Sequence, residues 1–287
     1  MNLKDKKFIP YYITAVVIIL CAIAAVFIIN TAWNTEEQET TTASIPSEIL
    51  SGNIPYYENV PASSYSKEHF TEIDGRMIYT DNNINYHTGI DVSSYQGDIN
   101  WNAVANDGID FAIIRIGYRG YGTAGTICPD SMAETNLIEA QKANIKTGVY
   151  FYSQATTVTE AIEEADFVLD IIKNYTIDYP VVFDWENDPG VAMRTDGMKS
   201  DIITQCAIAF CEKIKEAGYT PAVYFNLSDA YERYQLDLIK DYVFWYAQFE
   251  GEVPDFYYEY SIWQYSDKGS VDGIKGKVDL NICFSSF

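Results

Sequence analysis

The chain has little of what many enzymes use for proton transfer or cofactor binding. Only two histidines occur among 287 residues, His69 and His87, so residues 88–287 must do any chemistry without imidazole. This scarcity argues against a Ser-His-Asp triad, a Cys-His pair and a histidine-rich zinc site. The sequence also lacks the glycine-rich loops G-x-G-x-x-G and G-x-x-x-x-G-K-[ST] that bind nucleotides. We therefore expect no metal and no nucleotide or other cofactor.

Basic residues and cysteines are scarce as well. The formal net charge is −22, which argues against binding nucleic acid or an anionic lipid surface. Cys206 and Cys211 fall on one predicted helix, about 140° apart around its axis, so a disulfide between them would distort the helix. We interpret these two, Cys128 and Cys283 as free thiols, since no Cys-x-x-Cys metal motif is present.

A long apolar run near the amino end predicts a membrane anchor. Residues 8–30 are mostly apolar and follow three lysines within residues 1–7. At ~1.5 Å per residue the run spans roughly 33 Å, enough for the hydrocarbon core. A cleaved signal peptide and a buried core helix are the alternatives, but the length and the lack of a clean cleavage site favour an anchor. Lysines before the run and glutamates after it predict a cytoplasmic end at 1–7 and an extracellular remainder.

Residues 31–87 are predicted to form an extracellular, mostly flexible stalk. This segment is polar at first and shows no sustained periodicity, so it buries too little apolar area to offset its ordering entropy. The stretch from Phe70 to Tyr79 is apolar enough to pack on the following domain. We place the boundary of the folded domain at residue 88, with 88–287 as one unit.

The domain alternates short apolar runs with helix-length segments. Five such runs are each followed by a segment with 3.6-type spacing, which indicates βαβ units and a parallel sheet. Three further runs, at 243–249, 260–265 and 277–284, are separated by segments too short and broken for good helices. Eight strands close a small barrel, so we predict an α/β fold, a TIM-like (β/α)5β3 barrel.

Two carboxylates follow the apolar strand at 180–183. Asp184 and Glu186 are two apart, so on a strand they share a face while Trp185 points the other way. Functional groups gather where parallel strands end, and a pair of carboxyl groups is what cleaves a glycosidic bond. A solvated edge or a helix-capping turn is the alternative for such a tripeptide.

Several motifs together resemble glycoside hydrolase family 25, the N-acetylmuramidase lysozymes. They are Gly89-Ile90-Asp91-Val92-Ser93-Ser94-Tyr95-Gln96-Gly97 with Asn100-Trp101, Phe183-Asp184-Trp185-Glu186, Trp245-Tyr246-Ala247-Gln248, Trp263-Gln264-Tyr265, and Val278-Asp279-Leu280-Asn281. The resemblance covers residues 88–287 and implies the (β/α)5β3 fold and a peptidoglycan substrate.

The resemblance also implies roles for four acids. Glu186 would be the general acid, with a pKa raised by burial and acidic neighbours. Asp184 would stabilise the intermediate or attack as a nucleophile, and spacing leaves the choice open; the 2-acetamido group of muramic acid favours the substrate-assisted route. Asp91 and Asp279, on the first and last strands, match the other two active-site acids and meet only if the barrel closes.

Aromatic side chains at strand ends are candidates for stacking on sugar rings. For each of them core packing is about as plausible as substrate contact. The candidates are Tyr118, Tyr150, Tyr152, Tyr224, Trp245 and Trp263.

The leading functional hypothesis is a membrane-anchored muramidase that cleaves the β-1,4 bond from N-acetylmuramic acid to N-acetylglucosamine. A chitinase-like hydrolase is one alternative, but the Asp-x-x-Asp-x-Asp-x-Glu pattern of those enzymes fails at Tyr179 and Val182. A catalytically idle glycan-binding cell-wall protein is the other alternative.

Overall fold

The computed structural model describes residues 54–81, 83–187, 190–249 and 253–287. The predicted cytoplasmic end at 1–7, the anchor at 8–30 and the stalk up to residue 53 lie outside these residues. In the described part of the chain, no helix is long and apolar enough to cross a membrane.

The described residues form eleven strands and six α-helices. In chain order the strands are β1 (Phe70–Ile73), β2 (Arg76–Tyr79), β3 (His87–Val92), β4 (Phe111–Arg119), β5 (Ile127–Pro129), β6 (Lys146–Tyr152), β7 (Val181–Asp184), β8 (Pro221–Asn226), β9 (Val243–Ala247), β10 (Ile262–Gly269) and β11 (Val278–Cys283). The α-helices are α1 (Trp101–Asn106), α2 (Ala133–Lys142), α3 (Val158–Ile172), α4 (Ser200–Glu216), α5 (Leu227–Glu232) and α6 (Leu236–Ile239).

Strands β3, β4 and β6–β11 form a closed barrel. Strand β3 pairs with β4 on one side and with β11 on the other, which joins the two ends of the sheet. Neighbouring strands are parallel from β3 through β10, whereas β11 is antiparallel to both of its neighbours. Strand β5 adds to the end of β4 outside the barrel closure. The predicted eight-stranded barrel is confirmed.

Side chains alternate between the barrel interior and its outer face, as strand geometry requires. The interior holds a small apolar cluster that includes Phe111, Val182 and Trp245. A larger cluster surrounds the barrel and includes Phe183 and Phe151 together with the buried stripes of α3 and α4. Strands buried on both faces are continuously apolar, which is why their positions were predictable.

Residues 54–81 and 83–86 pack on the outside of the barrel, whereas packing was predicted only for Phe70–Tyr79 and a flexible stalk for the rest. Strands β1 and β2 form a hairpin whose two-residue turn, Asp74-Gly75, has positive φ at both positions, the geometry of a type I′ turn. Phe70 packs edge-to-face on Trp263 at 5.2 Å between ring centroids. In the described chain, the connections between β9, β10 and β11 contain no helix, so this segment covers their outer face and the folded unit begins before residue 88.

The four cysteines of the described residues are free thiols. Cys206 and Cys211 both face the core from α4. This agrees with the predicted absence of a disulfide between them.

Candidate active site

Three of the four predicted acids lie on strands at one edge of the barrel. Asp91 is on β3, Asp184 is the last residue of β7, and Asp279 is on β11. Glu186 lies just beyond the end of β7 and is partly exposed. Burial is the largest cause of the raised pKa values of Asp184 and Asp91, and the negative charge on Glu186 raises both further. The structure therefore brings these acids within electrostatic reach of one another.

Asp184 is a buried carboxyl beneath this edge. It pairs in register with Tyr152 of β6 and Tyr224 of β8, and only 5% of its surface is exposed. Its Oδ1 atom has no hydrogen-bond partner among the described residues. Burial raises the pKa of Asp184 well above its usual range, the charges of Glu186 and Asp91 add to the rise, and Arg115 opposes it.

Trp185, between the two acids, faces away from them. It is buried in the outer cluster with its ring centroid 6.4 Å from that of Tyr234. Trp185 and Asp184 therefore point to opposite faces of the sheet, as predicted.

Asp91 and Asp279 share a proton across the β3–β11 pair. The two residues are direct partners in the antiparallel register. Burial raises the pKa of Asp91 to about 6, although its hydrogen bonds, including one from Asp279, oppose the rise. Burial, and then the charge and hydrogen bond of Asp91, raise the pKa of Asp279 to about 8. Asp279 is thus the protonated partner near neutral pH and Asp91 the acceptor.

Two side-chain amides hold Asp91 in place, and neither was predicted as a site residue. Gln264 Nε2 and Asn281 Nδ2 each donate to Asp91 Oδ2 at 2.8 Å. Each amide is oriented in turn by an aromatic donor: the Tyr224 hydroxyl donates to Gln264 Oε1 and the Trp245 indole N–H donates to Asn281 Oδ1, both at 2.8 Å. The carboxylate therefore accepts from two donors whose own orientation is set by hydrogen bonds.

The predicted aromatic residues divide between the site and the scaffold. Tyr150 is partly buried and lies close enough to Asp91 and Asp184 for both charges to raise the pKa of its hydroxyl, after the larger effect of burial. Tyr152 is within reach of Glu186 and Asp184, and its hydroxyl is 3.4 Å from that of Tyr121.

Tyr224 and Trp245 lie inside the barrel under the acids. Both are buried, with ring centroids 4.8 Å apart. Through Gln264 and Asn281 they act as supports for Asp91. Tyr118, by contrast, is 37% exposed at the end of β4.

Trp263 was predicted to bind substrate, but it lies on the outer face of the barrel. Trp263 is 1% exposed and belongs to the outer cluster, where it packs on Phe70 and donates its indole N–H to the Gln248 carbonyl at 3.1 Å. Its neighbour Gln264 faces the interior, so strand alternation turns Trp263 outward.

The site offers carboxylates, amides and tyrosines but no metal cluster. Among the described residues, no group of three or more histidine, cysteine, aspartate or glutamate side chains is placed to hold a metal ion.

The amino-acid sequence matches a family model described as "Glycosyl hydrolases family 25" over residues 90–274. It is similar to an "Autolytic lysozyme" of Clostridium acetobutylicum, with 29% identity over 193 residues that cover 67% of this chain and 54% of that protein. It is also 29% identical over 204 residues to "Lysozyme M1" of Streptomyces globisporus, covering 67% of this chain and 66% of that protein.

Solved structures resemble the chain as well. The modular autolysin LytC from Streptococcus pneumoniae, solved in complex with a synthetic peptidoglycan ligand, matches with a TM-score of 0.62 and 27% identity, over 74% of this chain and 51% of that one. A family 25 glycosyl hydrolase from Bacillus anthracis matches in fold with a TM-score of 0.58 and 22% identity, over 77% and 95% of the two chains. This chain thus spans about half the length of the Clostridium lysozyme and of LytC.

The residues matched by the family model include Asp91, Asp184 and Glu186, the acids that meet at the end of β3 and β7. The match spans most of the barrel, and the closed eight-stranded topology agrees with it. The chain belongs to glycosyl hydrolase family 25.

Proposed function

We propose that the chain is a peptidoglycan hydrolase that cleaves the β-1,4 bond between N-acetylmuramic acid and N-acetylglucosamine. The observation that carries this proposal is the pairing of buried Asp184 with partly exposed Glu186 at the open edge of the barrel. Family membership and the lysozyme names of the two relatives support the substrate class. So does the peptidoglycan ligand of the LytC complex.

Glu186 is the proposed general acid. Its carboxyl is more accessible than that of Asp184, so a glycosidic oxygen at the barrel edge can reach it. A positioned general acid donates its proton to the leaving oxygen as the bond breaks.

Asp184 is the proposed stabiliser of the intermediate. Positive charge that develops at the anomeric centre would favour ionised Asp184, whereas burial favours the protonated form in the free protein. The Oδ1 atom of Asp184 is buried and has no hydrogen-bond partner among the described residues, so we propose that it accepts a hydrogen bond from a substrate N–H once the sugar is bound. Because Asp184 is only 5% exposed, we favour support of the substrate's own acetamido group over direct attack on the anomeric carbon.

Asp91 and Asp279 complete the proposed catalytic set. Their shared proton keeps one negative charge in the pair instead of two, which limits repulsion of Asp184. The side chains of Tyr118, Tyr150 and Tyr152 are the proposed substrate contacts from β4 and β6.

We further propose that residues 8–30 anchor the chain in the membrane with residues 54–287 outside the cell. The apolar run and the lysines before it support this placement. Tethering would keep an enzyme of net charge −22 near an anionic wall that its bulk charge repels. Membrane fractionation and protease protection of intact cells, with and without residues 1–30, test the proposal; a barrel released by salt wash or protected from external protease would contradict it.

The activity is tested with the full chain, because residues 54–86 cover the outer face of the barrel. Wild type, Glu186→Gln and the surface control Glu139→Gln are incubated with purified peptidoglycan, and the products are reduced with borohydride and identified by mass spectrometry. Muramitol ends from wild type and the control, with a loss of at least about 10²-fold for Glu186→Gln, are the expected result.

Two other outcomes would redirect the proposal. Glucosaminitol ends would move the cut to the other glycosidic bond. Glycan that is bound but left intact by wild type would favour the idle glycan-binding protein.

A further inference from the structure

Tyr95 lies on an exposed turn immediately after the strand that carries Asp91. Its side chain is 85% exposed, more than any other large hydrophobic side chain of the described residues. Leaving an aromatic ring in water forgoes the stabilisation that burial would give. Burial therefore gives no reason for an aromatic residue at this position.

The turn that presents Tyr95 is held rigidly. Ser93 Oγ accepts a hydrogen bond from the Tyr95 N–H at 3.2 Å, and Gln96 Oε1 accepts one from the Ser93 N–H at 2.9 Å, which together form a capping box. Asp130 Oδ2 accepts a further bond from the Ser94 N–H at 3.0 Å. The exposed ring is thus attached to backbone whose conformation is fixed before any ligand binds.

Arg115 supports the ring from beneath. Its guanidinium carbon is 4.9 Å from the ring centroid of Tyr95 and 5.5 Å from that of Tyr118. The same guanidinium donates to Asp130 Oδ2 at 2.8 Å and to Ser94 Oγ at 3.2 Å. Tyr95, Arg115 and Tyr118 therefore form one unit, which we term the rim platform.

The rim platform is continuous with the acids. A bulge in β4 between Arg115 and Gly117 adds one residue, so that Tyr118 comes to pair with Tyr152 of β6. Without the bulge Tyr118 would face the outer side of the barrel. Tyr152 lies within electrostatic reach of Glu186 and Asp184, so the platform extends from the acids towards the β3 side of the opening.

We propose that the rim platform is a distal glycan subsite, in which Tyr95 stacks on a pyranose ring of the strand beyond the two sugars joined by the scissile bond. An aromatic face suits the apolar face of a pyranose, and a phenolic hydroxyl suits its polar edge. Pre-set geometry lowers the ordering cost of binding. The proposal rests on the proposed function, because it extends the same cleft.

The charge of the platform favours a neutral sugar over an anionic peptide or lipid headgroup. Arg115 is the cation of the platform, and Asp130, whose side chain is fully buried, pairs with it at 2.8 Å. An anion would have to compete with that pair. A neutral ring needs only the exposed aromatic face.

Binding and cleavage are measured separately with the full chain. The parent for binding is the Glu186→Gln protein, and Tyr95→Ala, Tyr95→Phe and Tyr56→Ala are each added to it. Calorimetry gives the dissociation constant of each protein for soluble peptidoglycan glycan fragments of increasing length. Tyr56 is a matched control, since it is also an exposed tyrosine but contacts Tyr257. Wild-type cleavage of the same fragments is followed in parallel.

Tyr95→Ala should weaken binding of long fragments by roughly threefold to tenfold and leave the shortest bound fragment unaffected. Tyr95→Phe keeps the ring and should lose less affinity than Tyr95→Ala, and Tyr56→Ala should bind as the parent does. If Tyr95→Ala and the parent bind with equal affinity at every fragment length, the platform is overturned. Cleavage of the same fragments by wild type would then still support the proposed function. Length-dependent binding through Tyr95 without any cleavage would overturn the proposed function and retain the platform.

Discussion

Asp279 on β11 faces Asp91 on β3 in direct antiparallel register, so the closure of the barrel places two carboxyls side by side. The pair avoids repulsion by holding one proton, which Asp279 donates to Asp91. Two amide donors then orient the ionised Asp91. The first and last strands of the barrel therefore contribute a single acid unit.

This shared proton predicts a pH-dependent stability. The pKa of Asp91 is raised to about 6 and that of Asp279 to about 8, so the folded state binds more protons than the unfolded state from about pH 4 to about pH 8. Stability must fall as the pH rises through that window. Asp279→Asn removes one titrating group and keeps a donor for Asp91, so its melting temperature should fall less than that of wild type between about pH 5 and about pH 8.

The measurement is thermal unfolding by circular dichroism across that range, with exposed Asp241→Asn as the control. The control should retain the wild-type slope. Identical slopes for Asp279→Asn and wild type would show that the pair does not hold the proton in the folded state.

The Tyr224 hydroxyl should matter for activity through Gln264 and Asp91. Tyr224→Phe removes the donor that orients Gln264, so the amide can rotate and Asp91 loses a fixed partner. We expect kcat/KM on peptidoglycan fragments to fall about tenfold while the free energy of unfolding falls by only ~1 kcal/mol.

Tyr242→Phe is the matched control, since its hydroxyl donates to Glu212 of α4 at 2.7 Å and away from the acids. It should lose similar stability and no activity. Equal activity of the two variants would contradict a positioning role for Tyr224.

Much of the fold could be predicted because buried strands are continuous apolar runs. The runs at Pro221–Asn226 and Val243–Ala247 appear as strands close to their predicted bounds. The acids could be singled out because they follow such runs or interrupt them. Gln264 and Asn281 could not, because their roles depend on which side chains meet across the closed barrel.

The errors have equally specific causes. Trp263 is on a strand buried on both faces, where composition does not distinguish interior from exterior. Packing of Phe70–Tyr79 was expected from its apolar residues, and Asp74-Gly75 between them is typical of a type I′ turn. The polar sequence before the hairpin favoured a flexible stalk for the remainder.

The hairpin should contribute to the stability of the barrel. Phe70 packs on Trp263 and Phe284 at 5.2 and 5.9 Å between ring centroids. Phe70→Ala removes these contacts and opens a cavity, so we expect the free energy of unfolding in urea to fall by about 3 kcal/mol. Ile73→Ala is the control on the same hairpin, because Ile73 is 51% exposed, and its change should stay within about 0.5 kcal/mol. Comparable small losses for both variants would mean that the hairpin merely rests on the barrel.

Asp229 of α5 should influence the pKa of Asp184 without contacting substrate. It accepts a hydrogen bond from the backbone N–H of Asn187, the residue after Glu186, and its charge raises the pKa of Asp184. In Asp229→Asn that charge is gone, so the pKa of Asp184 should fall.

If ionised Asp184 stabilises the intermediate, activity is lost at low pH as Asp184 becomes protonated. The acidic limb of the kcat/KM profile should then move to lower pH in Asp229→Asn and stay in place in exposed Asp237→Asn. An acidic limb that stays in place while the basic limb moves to lower pH would mean that the protonated form of Asp184 is the active one.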